Sequence, residues 1–199
     1  MFSGIIEAQS SVIKIQEQQA AIRVWFSRPS LFNDLKIGDS VACNGICLTV
    51  EGISEDSIQF AMAYETLNLL RLDIKNLSEE KTWNLERSLR FGDRVHGHLV
   101  SGHVEDQGEV LKSEALGDSW LLAVKLPPHL APWVWKKGCI AIHGVSLTVN
   151  SFVDCVVEVC LIPETQNRTN LSKLKMGDLV NIETDYLAKV LVRGREIEV

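Results

Sequence analysis

The sequence predicts an all-β protein built from two tandem copies of one small barrel and ended by a short helix. Three observations predict it: an internal repeat, short β-rich segments bounded by turn residues, and one amphipathic stretch at the end. The repeat comes first, because missing it misjudges the whole architecture. Val41-Ala-Cys-Asn-Gly-Ile-Cys-Leu-Thr-Val50 aligns with Ile140-Ala-Ile-His-Gly-Val-Ser-Leu-Thr-Val149 at an offset of 99 positions. At the same offset Glu65-Thr66-Leu67-Asn68 aligns with Glu164-Thr165-Gln166-Asn167, and at an offset of 98 Ser3-Gly4 and Glu7 align with Ser101-Gly102 and Glu105. Three collinear matches indicate a duplication. The halves join near Gly92 to His98, which divides the chain into residues 1–98, 99–185 and a tail, 186–199.

Within each half the local pattern is that of strands. Lys36-Ile-Gly-Asp39 and Lys175-Met-Gly-Asp178 are expected as tight turns feeding a following strand, with glycine supplying the permissive backbone. Val41 to Gly45, Ser57 to Met62, Gly138 to Gly144 and Asp154 to Ile162 are short, rich in β-branched residues and punctuated by Gly, Asn, Asp or Pro. Turn signals this closely spaced suit a barrel of short strands. Short helices are expected at Thr66 to Leu72 and Thr165 to Leu174. Tyr186 to Arg193 carries apolar residues at 187, 190 and 191 and reads as an amphipathic helix whose stripe needs a cover, its own barrel or a partner subunit.

Composition narrows the function classes. The chain has 199 residues, 46% hydrophobic and 23% charged, enough for one large domain or two of about 100 residues with a core each. Its 20 Lys and Arg face 26 Asp and Glu, and no basic block exceeds Lys136-Lys137, so no footprint for nucleic acid is present. Met1 to Glu7 lacks a positive leader, and the most apolar stretch, Trp120 to Val134, is broken by Lys125, Pro127, Pro128 and Pro132, so neither a signal peptide nor a membrane span is expected. The five cysteines form no Cys-x-x-Cys pair, which argues for reduced thiols in a cytoplasmic protein rather than a disulfide framework or zinc site. His96, His98 and His103 suggest a metal, but no adjacent Cys or carboxylate cluster completes a first shell, so none is expected.

Five segments, Met1-Phe-Ser-Gly-Ile5, Asn44-Gly-Ile-Cys-Leu-Thr-Val50, Gly97-His-Leu-Val-Ser-Gly-His103, Gly144-Val-Ser-Leu-Thr-Val149 and Leu161-Ile-Pro-Glu-Thr165, together resemble the riboflavin synthase family. The resemblance spans nearly the whole chain. It implies two similar six-stranded Greek-key barrels, each a lumazine-binding domain, followed by a helix that joins subunits into a homotrimer. It implies a transferase reaction, the dismutation of two 6,7-dimethyl-8-ribityllumazine molecules to riboflavin and 5-amino-6-(D-ribitylamino)uracil, without a cofactor. An association with lumazine synthase is a further expected partnership. Donor and acceptor are one compound, so two copies of one fold can each hold one, with the N-terminal barrel of one subunit facing the C-terminal barrel of a neighbour.

Carried over by motif, the N-terminal site comprises Gly4, Ile5, Ile6, Ser40, Cys47, Leu48, Thr49 and Ala61, Met62, Ala63, Tyr64, Glu65 and Thr66. The C-terminal site comprises Gly102, His103, Val104, Lys137, Ser146, Leu147, Thr148 and Ile162, Pro163, Glu164, Thr165, Gln166 and Asn167. Main-chain groups around Gly-x-x-Leu-Thr can meet a pteridine edge, the Thr49 and Thr148 hydroxyls add adjustable partners, and Glu65 and Glu164 can bind ribityl hydroxyls. The alternative for each Glu-Thr pair is a helix-start cap. Cys47 and Ser146 occupy one position of the repeat; a thiolate can add to the electron-poor C7, and a serine can position the methyl group or a water. The plainer reading of either is a small residue in a barrel wall. His103 is the expected proton shuttle, and Thr148 and Asp185 complete the catalytic set, Asp185 also suiting a cap for the last helix. Two departures stand out: His143 where the family usually has Asp, and Ser3 where Thr is usual. A non-catalytic lumazine or flavin carrier of the same fold tends to lack the Ser-Gly-His and Ser-Leu-Thr residues present here. A flavin reductase domain would need a Gly-rich dinucleotide fingerprint, which is absent.

Overall fold

The computed structural model describes residues 1–19, 21–71, 77 and 82–197. In the first half lie β1 (Ala8–Ser10), β2 (Val12–Glu17), β3 (Ala21–Ser27), β4 (Ser40–Cys43), β5 (Ile46–Ile53), β6 (Ser57–Ala63), α1 (Tyr64–Leu69) and β7 (Trp83–Arg87). In the second lie β8 (Asp106–Leu116), β9 (Ser119–Lys125), β10 (Cys139–Ile142), β11 (Val145–Val153), β12 (Val156–Leu161), α2 (Pro163–Arg168) and β13 (Leu179–Thr184), followed by α3 (Tyr186–Ile197). The second half closes into a barrel in the order β10-β11-β12-β9-β8-β13, the return of β12 beside β9 giving a Greek-key path. The first half forms a sheet in the order β1-β7-β4-β5-β6-β3-β2. Its two ends, β1 and β2, are separated in the chain only by Ser11, so it has six staves with the first one broken. In the second barrel the single strand β8 does the work of both, pairing with β13 at one end and β9 at the other.

Alternation along the strands fills the two interiors. On β3 and β6 the residues Ile22, Val24, Phe26, Ile58, Phe60 and Met62 point inward, where Phe26 stacks edge-on against Phe60 and Trp83. Val110, Leu122, Val124, Val149, Val157, Val159 and Ile182 fill the second barrel. The two Gly-bearing Lys turns form as expected: Lys36 and Lys175 N–H groups donate to Asp39 and Asp178 carboxylates at 2.9 and 2.7 Å, with Gly38 and Gly177 at φ +94° and +89°. The helices start earlier than expected, at Tyr64 and Pro163; the second ends at Arg168 with a separate 3-10 turn at Leu171–Lys173, and the region of Leu72 lies outside the described residues.

Asn44-Gly45 and His143-Gly144 are two-residue hairpin loops, β4 to β5 and β10 to β11, with φ positive at all four residues, as a type I′ turn demands. The two turns meet back to back: a Cβ on Gly45 would lie 2.8 Å from the Gly144 nitrogen, and one on Gly144 2.7 Å from the Gly45 nitrogen. Around them runs a reciprocal polar seam. Asn84 N–H donates to Asn44 Oδ1 (2.8 Å) and Asn181 N–H to His143 Nδ1 (3.3 Å), while the Asn84 and Asn181 amides donate to the His143 and Asn44 carbonyls (3.1 and 2.9 Å).

The barrels also exchange their leading segments. Phe2 and Val100 form a two-way bridge, Ile6 is part of the second barrel's core, and Val104 packs on the first barrel's core. At the end of the chain α3 starts on Asp185, whose Oδ1 accepts the Leu187 N–H at 3.0 Å, the expected cap. Ala188 is buried, while Leu187, Val190 and Leu191 stay exposed.

Candidate functional site

Each hairpin after a type I′ turn carries its small polar residues on the outer face of the barrel. Ser40 lies opposite Thr49, and Cys139 opposite Thr148. Cys47 and Ser146 sit two residues before those threonines on the same face, half-buried by the segment that crosses over from the other half. The sequence groups Gly4 with Cys47 and Gly102 with Ser146; the structure reverses the pairing. The Cys47 N–H donates to the Gly102 carbonyl and the Ser146 N–H to the Gly4 carbonyl, both at 2.8 Å. A Cβ on Gly102 would stand 2.7 Å from Cys47 Cβ, and one on Gly4 2.6 Å from Ser146 Cβ, so only glycine permits either approach. One composite site therefore joins Ser40, Cys47 and Thr49 to Gly102-His103-Val104. The other joins Lys137, Ser146 and Thr148 to Gly4-Ile5-Ile6.

The exchange also changes which histidine meets Ser146. His103 is exposed on the Cys47 side, and its main-chain N–H is held by Ser101 Oγ at 3.1 Å. His98 takes the contact instead, with Nδ1 2.7 Å from Ser146 Oγ. Burial lowers the His98 pKa, an effect the nearby Asp185 carboxylate opposes. A neutral ring in its Nε2–H tautomer accepts a hydrogen bond from the serine hydroxyl at Nδ1, and its buried Nε2 has no partner among the described residues. Ser146 and His98 are thus hydrogen-bonded to one another, with the Asp185 carboxylate acting on the ring through its charge. His98 lies inside the Gly97 to His103 motif, which is the signal that could have singled it out.

Several expected residues can offer a ligand only main-chain atoms. Leu48, Met62, Leu147 and Ile6 point into the cores, because each falls on the inward phase of its strand or segment. Gln166 spends its amide on the Asp118 and Leu161 carbonyls (3.0 and 3.1 Å), and Tyr64 donates its hydroxyl to the Gln18 carbonyl (3.0 Å). Ala61 and Ala63 face outward, and Ile162 is exposed beside Pro163, the first residue of α2. Glu65 and Glu164 stand in the first turns of α1 and α2, where neither helix has a side-chain cap. Glu164 instead pairs with Arg168, Thr165 accepts the Thr169 N–H on its carbonyl, and the Asn167 carbonyl accepts the Gln9 amide. Thr66 closes its helix in the same way, its carbonyl accepting the Leu70 N–H. Lys137 is exposed at φ +71°, where the first repeat has Gly38; a lysine held in the left-handed region is an outlier of the kind found at functional sites. A cavity of about 540 Å³, the size of a small-molecule site, opens beside the linker and is lined by Ile5 and Ser40 among the expected residues.

Two carboxylates that the motif reading omits hold the crossing segments. Glu86 Oε1 accepts the Ser3 N–H (2.7 Å) and hydroxyl (2.9 Å), and Oε2 accepts the Gly4 N–H (2.9 Å). Glu183 treats Ser101 and Gly102 identically, at 2.6, 2.8 and 2.9 Å. Burial pushes the Glu86 carboxyl up to about 7 against the pull of its three donors. The signal was Asn84-Leu-Glu86 against Asn181-Ile-Glu183, a further repeat at an offset of 97. Glu7 and Glu105, the third members of the Ser-Gly-x-x-Glu repeat, accept the main-chain N–H groups of Arg87 and Thr184 at 2.8 and 2.6 Å.

The profile of the lumazine binding domain family matches twice, over residues 3–88 and 101–185. Riboflavin synthase of Buchnera aphidicola subsp. Schizaphis graminum is 37% identical over 195 residues, 96% of this chain and 92% of that protein. Riboflavin synthase of Bacillus subtilis (strain 168) is 33% identical over 193 residues, 97% of this chain and 89% of that protein. Among solved structures, LumP complexed with riboflavin superposes with a TM-score of 0.84 at 25% identity, covering 92% of this chain and 99% of that one. LumP complexed with 6,7-dimethyl-8-(1'-D-ribityl) lumazine shares the fold at a TM-score of 0.81. With two matched domains and riboflavin synthases 33–37% identical over nearly its whole length, the chain belongs to the riboflavin synthase family.

Proposed function

We propose that the chain catalyses the dismutation of two 6,7-dimethyl-8-ribityllumazine molecules to riboflavin and 5-amino-6-(D-ribitylamino)uracil, the last step of riboflavin biosynthesis. The observation that carries the reading is the pair of equivalent composite sites, Cys47 under Gly102 and Ser146 under Gly4, in one chain whose relatives are riboflavin synthases. Equivalent folds hold equivalent molecules, and their divergence at Cys47 and Ser146 separates acceptor from donor. At the second site the proton of the lumazine C7 methyl group passes to Ser146 Oγ as the serine hydroxyl gives its own proton to His98 Nδ1, and the Asp185 charge favours the imidazolium that results. The carbanion attacks the second lumazine, a four-carbon unit passes across, and the donor leaves as the pyrimidine. At the first site the Cys47 thiol faces the ring that receives the unit, with Thr49 and His103 beside it, while Thr148 and Lys137 bind the donor.

As the family resemblance implies, donor and acceptor meet across subunits in a homotrimer, the N-terminal barrel of one subunit facing the C-terminal barrel of a neighbour. The exposed Leu187, Val190 and Leu191 on α3 are the surface for that assembly. Five free thiols suit a cytoplasmic setting, and association with lumazine synthase belongs to the same reading. The residue divisions 1–98, 99–185 and 186–199 are kept as two lumazine-binding units and an assembly tail. Incubation of the pure protein with the dimethyl-ribityllumazine alone is expected to release riboflavin and the pyrimidine in equal amounts. Stoichiometric binding without turnover would replace this reading with a chromophore carrier.

A further inference from the structure

We propose that Glu86 and Glu183 are crossed positioning residues: each is rooted in the last strand of one barrel and fixes the lip of the substrate site on the other. The inference rests on the proposed dismutation for its rate readout and on geometry for its content. Glu86 lies on β7 of the first barrel, yet the segment it holds, Ser3-Gly4, covers Ser146 of the second. Glu183 lies on β13 of the second barrel, and its cargo, Ser101-Gly102, covers Cys47 of the first. Both carboxylates are almost fully buried, 3% and 2% exposed, and among the described residues their hydrogen bonds all go to the crossing segment.

The chemistry requires a carboxylate. Three converging donors, two of them main-chain N–H groups, need an acceptor with two oxygens, which the acid supplies in its ionised form, above about pH 7 at Glu86, and an amide does not. In Glu86→Gln the NH2 group must face either the Ser3 donors or the Gly4 N–H, leaving a buried donor unpaired. Gly4 has little room to shift, because Ser146 lies against it, and Gly97 of the His98 segment packs against both the Ser3 carbonyl and the Ser146 side chain. Loosening the clamp therefore moves the Gly4 carbonyl, the Ser146 main chain and the covering of His98 together. Neither acid reaches the reacting atoms; each acts through the glycine it holds.

The test is a set of double-mutant cycles on turnover of the lumazine. Glu86→Gln and the milder Ser3→Ala are expected to lower kcat about thirtyfold and about fivefold, with Ser3→Thr restoring the rate because it keeps the hydroxyl. Combined with Ser146→Ala, each is expected to lower the rate little beyond the worse single variant; combined with Cys47→Ser, the losses multiply. Glu183→Gln and Ser101→Ala are expected to show the opposite pairing. Coupling of Glu86 to Cys47, or multiplication with both partners, would overturn the crossed assignment. Should Glu86→Gln not fold, Ser3→Ala and Ser101→Ala decide it, since they keep the carboxylate and both main-chain bonds. If the unaltered protein binds the lumazine without turnover, the dismutation falls, and the same cycles read on lumazine affinity still decide the clamps.

Discussion

His143 departs from its family at one residue, and the structure gives that residue a place in the seam between barrels rather than in the chemistry. Its Nδ1 occupies the position of Asn44 Oδ1 in the first repeat, accepting one main-chain N–H, and an Asp would accept it equally well. All three residue types tolerate the left-handed backbone of the turn. Burial depresses the ring's pKa to about 4, well under its ordinary value of 6.5. The sign follows: a group depressed by folding adds stability that is full above about 6.5 and lost as pH falls through 4, on the order of 3 kcal/mol. Over the same window the buried Glu86 carboxyl, raised to about 7, gains stability as pH falls, so the test is a difference: relative to the unaltered protein, His143→Asn is expected to flatten any drop in thermal stability between pH 6.5 and 4 while leaving the pH-rate profile in place. An unflattened drop would assign the acid loss to other groups. In the proposed reaction it is His98 that takes part in the chemistry. His98→Ala is expected to lower kcat about a hundredfold with a smaller change in KM, measured by steady-state riboflavin formation; an unchanged kcat would remove it from the proton path.

At the scale of elements, the hairpin turns carry the sharpest expectation. Gly45→Ala and Gly144→Ala each meet a positive φ and a main-chain nitrogen within 2.8 Å, whereas Gly38→Ala meets the strain with no atom within 4 Å. Chemical denaturation is expected to show about 1 kcal/mol lost at Gly38 and about 3 kcal/mol or more at either seam glycine. Equal losses would mean that the two turns are not in contact. These elements were legible because local chemistry specifies them: Asn-Gly and Lys-x-Gly-Asp fix turns, and alternation fixes the faces of β3, β6 and β12. The break at Ser11 was not, since β1 and β2 continue one another in pattern and differ only in which neighbour they bond. The buried acids were also hidden, because Glu86 beside Arg87 looks like an ordinary exposed charge pair until the crossing segment covers one and not the other.

For the whole molecule, duplication was legible as an offset, and family motifs supplied the list of residues around both sites. Which motif meets which was not, because Ser-Gly-His and Gly-x-Ser-Leu-Thr neighbour one another in sequence order while the contact runs between halves. Assembly is the remaining expectation at this scale. Removing the residues after Tyr186 is expected to leave both barrels folded, shift the protein to monomers in sedimentation analysis and abolish most turnover; a fully active monomer would defeat the shared site.

The exchanged leading segments alter how inherited variation in this chain should be mapped. A lesion at Ser3 or Gly4 would present as a fault of the second barrel, and one at Gly102 as a fault of the first. Position along the gene and position of the defect are thus interchanged at these motifs, and complementation between two damaged copies would follow the spatial address.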